Sequence, residues 1–232
     1  MAKPSRGRAD LHLHTTCSDG RATPAQLARR LARGDLAVVA VTDHDTVEGA
    51  LRVRDALGGR GPEVVIGTEV STADGHVLAL FVSHDVRPGM SAADTIAAVH
   101  DQGGVAVAAH PYSLAQGVGD LAIGLPFDGV EVLNGSPLME LSNLRAGRRL
   151  ARAGHALVGG SDAHVAPAAG RVHTVFPGSG AADLRAAILA RLTRPGIDVA
   201  GHVAALPQHL AWLTWVTLWR RDQRSGPVGT PT

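Results

Sequence analysis

Apolar and polar residues follow two periods that trade places along this chain. Ala9–His14 alternates strictly, with Leu11 and Leu13 on one face and His12 and His14 on the other, which is the signature of a half-buried strand. Leu36–Val41 is a continuous apolar run, as expected of a strand buried on both faces. Further strands are predicted at Glu63–Ile66, His76–Val82, Gly104–Ala109, Gly129–Leu133, Ala156–Gly159 and Val172–Phe176. Helical stretches lie between them at Thr23–Arg33, Thr46–Leu57, Ser91–Gln102, Met139–Ala153 and Ala181–Leu192. Thr23 and Ser91 are N-cap candidates. Pro24 takes the first helical position, where its missing N–H is no loss, and Asp94 makes a weakened capping box with Ser91. This alternation implies βα units and a largely parallel sheet. Seven or eight strands predict an α/β barrel, with an open doubly wound sheet as the alternative.

The C-terminal end departs from this rhythm. Val203–Trp219 holds all three tryptophans (Trp212, Trp215, Trp219) and no charged residue, and Arg220 and Arg221 follow. It reads as a helix over 201–224 that packs on a barrel spanning 1–200, or on a second copy of the chain in a homo-oligomer. An interfacial membrane helix is the alternative. Pro207 and the short apolar length argue against a spanning helix. Ser225–Thr232 is rich in Gly, Pro and Thr and is expected to be a disordered tail.

Composition narrows the chemistry. With 232 residues and 45% hydrophobic content a sizeable core can form, but only 3% are aromatic, so Ala, Val and Leu must fill it. The net charge of +1, without a basic stripe interleaved with aromatics, argues against extended nucleic-acid binding. The single cysteine, Cys17, and the polar start of the chain fit a reducing, cytoplasmic setting. Lys3 is the only lysine, which removes Walker A chemistry, lysine Schiff bases and any carbamylated barrel lysine.

Against this background the polar residues at strand ends stand out. His12 and His14 share one face of the first strand. Thr42-Asp43-His44-Asp45, Glu69, His110, and Asp162 with His164 each end an apolar run. Burying such groups costs several kcal/mol unless each finds a partner. Asp19 sits in a turn with Gly20, where it is also a capping candidate. His76 begins its strand instead of ending it, so that strand is expected to run antiparallel, and His84 at its far end is a competing ligand. Asp43 or Asp45 is a candidate to orient an imidazole, and Asp45 is equally a candidate helix cap. Any one of these motifs is weak. Five strands ending this way point jointly to a metal site.

Asp10-Leu11-His12-Leu13-His14, Thr42-Asp43-His44, Ala109-His110-Pro111 and Ser161-Asp162-Ala163-His164, in that order, resemble the motifs of the PHP (polymerase and histidinol phosphatase) family of metal-dependent phosphoesterases. Gly67-Thr68-Glu69 and Gly75-His76-Val77 also match, with Ala79 where the family usually has glycine. The resemblance covers roughly residues 9 to 176. It implies a distorted (β/α)7 TIM-like barrel holding two to three divalent ions. Carried over by position, the ligands are His12, His14, Asp19, His44, Glu69, His76, His110, Asp162 and His164. The interval between Glu69 and His110 is short, whereas nucleotide- and RNA-processing relatives carry a long insertion there. The site is therefore expected to be more open.

Six imidazoles and three carboxylates suit Zn²⁺, Mn²⁺ or Fe²⁺ better than Ca²⁺ or Mg²⁺. Two such ions can share a hydroxide that attacks phosphorus in line. Asp162, His164 and His110 are the catalytic candidates, with Asp162 able to carry the proton to the leaving oxygen. Arg21, Asn134, Arg171 and His173 are candidates to bind the phosphate, because arginine must do the work of the missing lysines. The expected activity is hydrolysis of a small phosphorylated metabolite or nucleotide, as a monoester or short diester. The competing readings are a metal-dependent amidohydrolase and a non-catalytic accessory domain.

Overall fold

The computed structural model describes residues 6–225, so most of the C-terminal segment expected to be disordered lies outside the described residues. In chain order the elements are β1 (Arg6–Asp10), α1 (Pro24–Leu31), β2 (Val38–Val41), α2 (Glu48–Leu57), β3 (Glu63–Ser71), β4 (His76–Leu80), α3 (Ala92–Asp101), β5 (Val105–Ala108), α4 (Leu121–Gly124), β6 (Gly129–Asn134), α5 (Glu140–Leu150), β7 (Ala156–Gly160), β8 (Val172–Pro177), α6 (Ala181–Leu189), β9 (Arg194–Ile197) and α7 (Val199–Ser225). The strands form one sheet in the order β7-β6-β5-β4-β3-β2-β1-β8-β9. It curls into a nearly closed barrel, a distorted TIM-like α/β fold.

The direction of each strand places the site. β1, β2 and β3 run parallel, as do β5, β6 and β7. β4 is reversed against both β3 and β5. Its first residue, His76, therefore reaches the same rim as the last residues of the parallel strands. β8 is reversed against β1 and β9. Alternation sorts the side chains of each strand. Val38 and Ala40 join Ala9, Val65, Leu78 and Val107 in a cluster that α6 also enters through Leu184 and Ile188. Val39 and Val41 pack against α1 and α2. Small aliphatic residues do fill this core, as the low aromatic content requires.

Local signals act where the sequence puts them. Thr23 accepts from the Gln26 N–H and the Gln26 side chain returns to the Thr23 N–H, so α1 starts on a complete capping box with Pro24 behind it. Ser91 caps α3 through the Asp94 N–H. The first strand differs from its expectation: it ends at Asp10, and Leu11 and Leu13 do not share a face. Leu11 packs with Ala9, while Leu13 packs with Leu27 and Val41. After Asp10 the backbone leaves the ladder and is satisfied between two neighbours. Leu13 N–H donates to the Thr42 hydroxyl, and His14 N–H donates to the Ala163 carbonyl.

The seam of the barrel lies between β7 and β8. There the buried Thr174 hydroxyl accepts from the Gly159 N–H at 3.0 Å and donates to its carbonyl at 2.8 Å. A Cβ on Gly159 would stand 2.9 Å from the His173 carbonyl, so the close approach requires glycine. Thr174→Val keeps the shape and strands both Gly159 groups. It should lower unfolding stability by about 2–4 kcal/mol in denaturant titration; a change below about 0.5 kcal/mol would mean that the seam does not depend on this hydroxyl.

Candidate metal centre

All nine predicted ligands converge at one mouth of the barrel. Their donor atoms fall into overlapping groups: His14, Asp19, His44 and His164; His12, His110 and Asp162; His12, His14 and Glu69; and His44, Glu69 and His76. His84 lies outside these groups. It is exposed, and its ring contacts the Asp85 carbonyl. His12 Nε2 stands 3.2 Å from Glu69 Oε2 and 3.5 Å from Asp162 Oδ1, and His14 Nε2 stands 3.3 Å from each of the same two atoms. Glu69 Oε1 lies 2.8 Å from His76 Nδ1 and 3.0 Å from His110 Nε2. Asp19 Oδ1 lies 3.0 Å from His164 Nε2.

The donor set fits a cation. Four donors held about 2.1 Å from a tetrahedral ion stand about 3.4 Å apart, which is the spacing found around Glu69 Oε2 and Asp162 Oδ1. His12 Nε2, His14 Nε2 and His44 Nδ1 are buried nitrogens that make no hydrogen bond, although each faces a carboxylate. Buried polar atoms without partners are costly, and ligation would satisfy them.

The electrostatics agree. Burial alone would raise the Glu69 and Asp162 carboxyls, but the surrounding imidazoles, His12 foremost, hold both well below the usual carboxylate range. Burial alone would lower His14, yet Asp162 and Glu69 push it up to about 10. His12 is likewise raised against its burial, by Asp162, Glu69 and Glu131. His44 goes the other way: burial, helped by His14 and His76, outweighs Glu69 and takes it down to about 4. Without a cation, protons must balance the carboxylates.

A second layer, acting through its contacts with the ligands, was less visible in the sequence. Glu131 is fully buried on β6, and its Oε1 lies 3.2 Å from His12 Nδ1. Its Oε2 accepts from the His110 N–H and from Asn134 Nδ2, each at 2.9 Å. A Cβ on Gly160 would sit 2.5 Å from Glu131 Oε1 and 2.6 Å from His12 Cβ, so glycine lets β7 pass behind this pair. Asp10 accepts from the Ser161 N–H and hydroxyl and from the Gly170 N–H, which anchors the loop carrying Asp162. Asp43 accepts from Thr15 and Ser18, anchoring the loop carrying Asp19 rather than orienting an imidazole. Asp45 accepts from the Ser71 N–H and does not cap α2, whose N-cap is Val47. His110 and Asp162 both have positive φ (27° and 48°), a strained backbone found at two of the clustered groups.

The phosphate-binding candidates are scattered. Asn134 is buried beneath the cluster, donating to Glu131 and to Asp162 Oδ2. Arg21 lies beside the site with its guanidinium over the Trp215 ring. Arg171 and His173 are not brought to the cluster. Alternation on β8 points Thr174 at the seam and His173 to the other face, beside Arg8, while Arg171 pairs with Asp198 at 2.6 Å. The arginine that does line the mouth is Arg145 on α5, a position without a strand-end signal. α7 also joins the site. The buried Trp212 ring stacks on His164 at 3.7 Å between centroids, and its Nε1 donates to the Asp19 carbonyl at 2.8 Å. The cavity over the cluster measures about 550 Å³. No helix among the described residues is long and apolar enough to cross a membrane.

Two family models match the chain: the PHP domain over residues 10–117 and the PHP-associated region over residues 140–193. An uncharacterized protein of Methanocaldococcus jannaschii is 37% identical over 139 residues, 55% of this chain and 81% of that protein. A 3',5'-nucleoside bisphosphate phosphatase of Chromobacterium violaceum is 35% identical over 79 residues, 34% of this chain and only 28% of the phosphatase. Among solved structures, a two-domain protein of Bacteroides vulgatus, described as containing a predicted PHP-like metal-dependent phosphoesterase, superposes with a TM-score of 0.69 at 20% identity. The match covers 84% of this chain and 65% of that one.

Two expectations follow for the centre. Glu131→Gln would set an amide N–H against His12 Nδ1 and force the ring proton onto Nε2, the atom that faces the cluster. Metal affinity, read by chelator competition, should fall about 10- to 100-fold; unchanged affinity would remove Glu131 from this role. In chelator-treated protein, the raised His14 pKa adds stability that is complete below its ordinary 6.5 and lost as pH climbs through about 10. The melting temperature should fall across that window, and adding metal in weak buffer should release protons. A flat profile without proton release would contradict this balance of charge.

Proposed function

The chain belongs to the PHP family, and from that premise we propose that it is a metal-dependent phosphoesterase that hydrolyses a small phosphate monoester or short diester. One observation carries the reading: six imidazoles and three carboxylates meet beneath a single open cavity. The mixed nitrogen and oxygen donors suit two or three ions of Zn²⁺, Mn²⁺ or Fe²⁺. Such ions supply Lewis acidity and water activated at neutral pH.

The chain's own residues have separate tasks in this reading. His12, His14, Glu69 and Asp162 hold the centre of the cluster. Asp19, His44 and His164 hold one flank, and His76 and His110 the other. Asn134 ties up Asp162 Oδ2 and leaves Oδ1 toward the cluster. Asp162 is held as a carboxylate, the form that ligates a cation; to carry a proton to the leaving oxygen it would first have to accept one from the attacking water. Trp212 covers His164 and keeps water off that flank. The bisphosphate phosphatase relative supports monoester chemistry. The lack of a barrel lysine argues against amide hydrolysis, and the full set of nine donors argues against an inactive accessory domain.

With Mn²⁺ or Zn²⁺ added, the protein should release phosphate from p-nitrophenyl phosphate. The double change Asp162→Asn, His164→Ala should reduce the rate at least about 1000-fold. Activity that survives the double change, or none in the metal-loaded wild type, would overturn the proposal.

A further inference from the structure

The cavity above the metal cluster has an unusual wall for a site built around an anion. Leu114, Leu138, Met139 and Leu141 line it together with Leu213 and Val216 of α7. Leu114, Leu138 and Leu141 are exposed at its mouth. Leu138 also has a φ of 70°, a left-handed backbone that a bulky side chain adopts only under strain. A strained backbone that presents an exposed leucine at the mouth of a cavity is a costly arrangement for folding alone.

Beside its aliphatic side chains the wall carries the uncharged polar groups of Ser113, Gln116, Ser136, Ser142 and Thr217, but few rings for a base. Two of its rings could stack on a base, and both are engaged. Trp212 is 6% exposed with a face on His164, and the Arg145 guanidinium lies 4.6 Å over the Tyr112 ring. Arg145 is the one arginine of the lining among the described residues, and its charge is already partly used by that ring. With the phosphate fixed at the metal cluster, the rest of the substrate would meet a lining in which aliphatic side chains predominate.

We propose that the substrate is the phosphate ester of an apolar alcohol, whose alkyl chain lies in the groove lined by Leu114, Leu138, Leu141, Leu213 and Val216. The proposal rests on the phosphoesterase reading of the metal centre and narrows it. Burying aliphatic carbon favours each added methylene by about threefold to fourfold, so selectivity should climb steeply with chain length until the groove is full.

The test compares ethyl, butyl, hexyl and octyl phosphate below their micelle concentrations on the metal-loaded full chain. The ratio of kcat/KM for octyl over ethyl phosphate should be on the order of 1000 if the groove takes all six added methylenes, and AMP should fall below hexyl phosphate. Leu114→Ser, Leu138→Gly and Leu141→Ser, combined on exposed positions that the core does not use, should cut the octyl-to-ethyl ratio at least tenfold. A ratio within twofold of unity, a preference for AMP, or a ratio unmoved by the triple variant would overturn the proposal.

A binding arm separates this from failure of the phosphoesterase reading. Trp212 of α7 lines the cavity, so a change in intrinsic fluorescence can report on the groove. Octylphosphonate should shift it at concentrations at least tenfold lower than ethylphosphonate. If no ester is hydrolysed but this difference holds, the groove assignment stands and the hydrolytic reading falls. If the two phosphonates act alike, the groove assignment falls, whatever the activity.

Discussion

Everything in this fold answers to one constraint: nine ionisable side chains share a buried volume in which they cannot all keep their ordinary charge. Left to solvent-like behaviour, Glu69 and Asp162 would be carboxylates without counter-charge in a low-dielectric pocket, which is costly. In the protein alone, His12 and His14 meet that need by holding protons far above their usual range. A divalent cation meets it better, because it takes the imidazoles as neutral ligands and gives the orphaned ring nitrogens a partner. The barrel is the scaffold that makes this crowding possible. Six parallel strands end at one rim, and the reversed β4 adds His76 to it by starting there.

The crowding also explains the ring of buried carboxylates that do not join the cluster. Asp10, Asp43 and Glu131 each hold a segment that delivers ligands by accepting backbone or side-chain hydrogen bonds, and Glu131 also faces the His12 imidazole. Burial pushes Asp10 up to about 6 even against four hydrogen bonds. Loops free to relax would move the ligands apart to reduce repulsion. The fixed loops keep the donors at the spacing that an ion needs, at the price of left-handed backbone at His110 and Asp162.

Strand-end placement made the barrel and most of the clustered groups legible in the sequence, while Asp19, in a turn, and His76, at the start of its strand, were assigned through the resemblance to the PHP motifs. Other features were hidden for specific reasons. Glu131 lies in Gly129-Val130-Glu131-Val132, where a buried acid between two valines was itself a signal, but its partner His12 lies far away in the chain. Leu11 and Leu13 look equivalent by alternation, yet the chain leaves the ladder after Asp10 and sends them to different clusters. Arg171 and His173 follow a ligand loop closely in sequence, but the reversed β8 and its alternation take them to another face. Proximity along the chain is a poor guide where strand direction changes.

α7 was expected as a helix packing on the barrel or on a second copy; its role at the site was not. Ala205, Trp212 and Val216 join the same cluster as Leu13, Ala163 and Val165. Trp212 at once covers His164 and binds the carbonyl of Asp19, so docking of the helix and the positions of two clustered groups are one equilibrium. Whatever favours one must favour the other by the same free energy. The same helix contributes Leu213 and Val216 to the wall above the cluster. The residues that close the core, steady His164 and Asp19, and shape the space for substrate therefore lie within a few turns of one helix. A change at any of these positions therefore acts on all three tasks, with Trp212 as the residue where they meet.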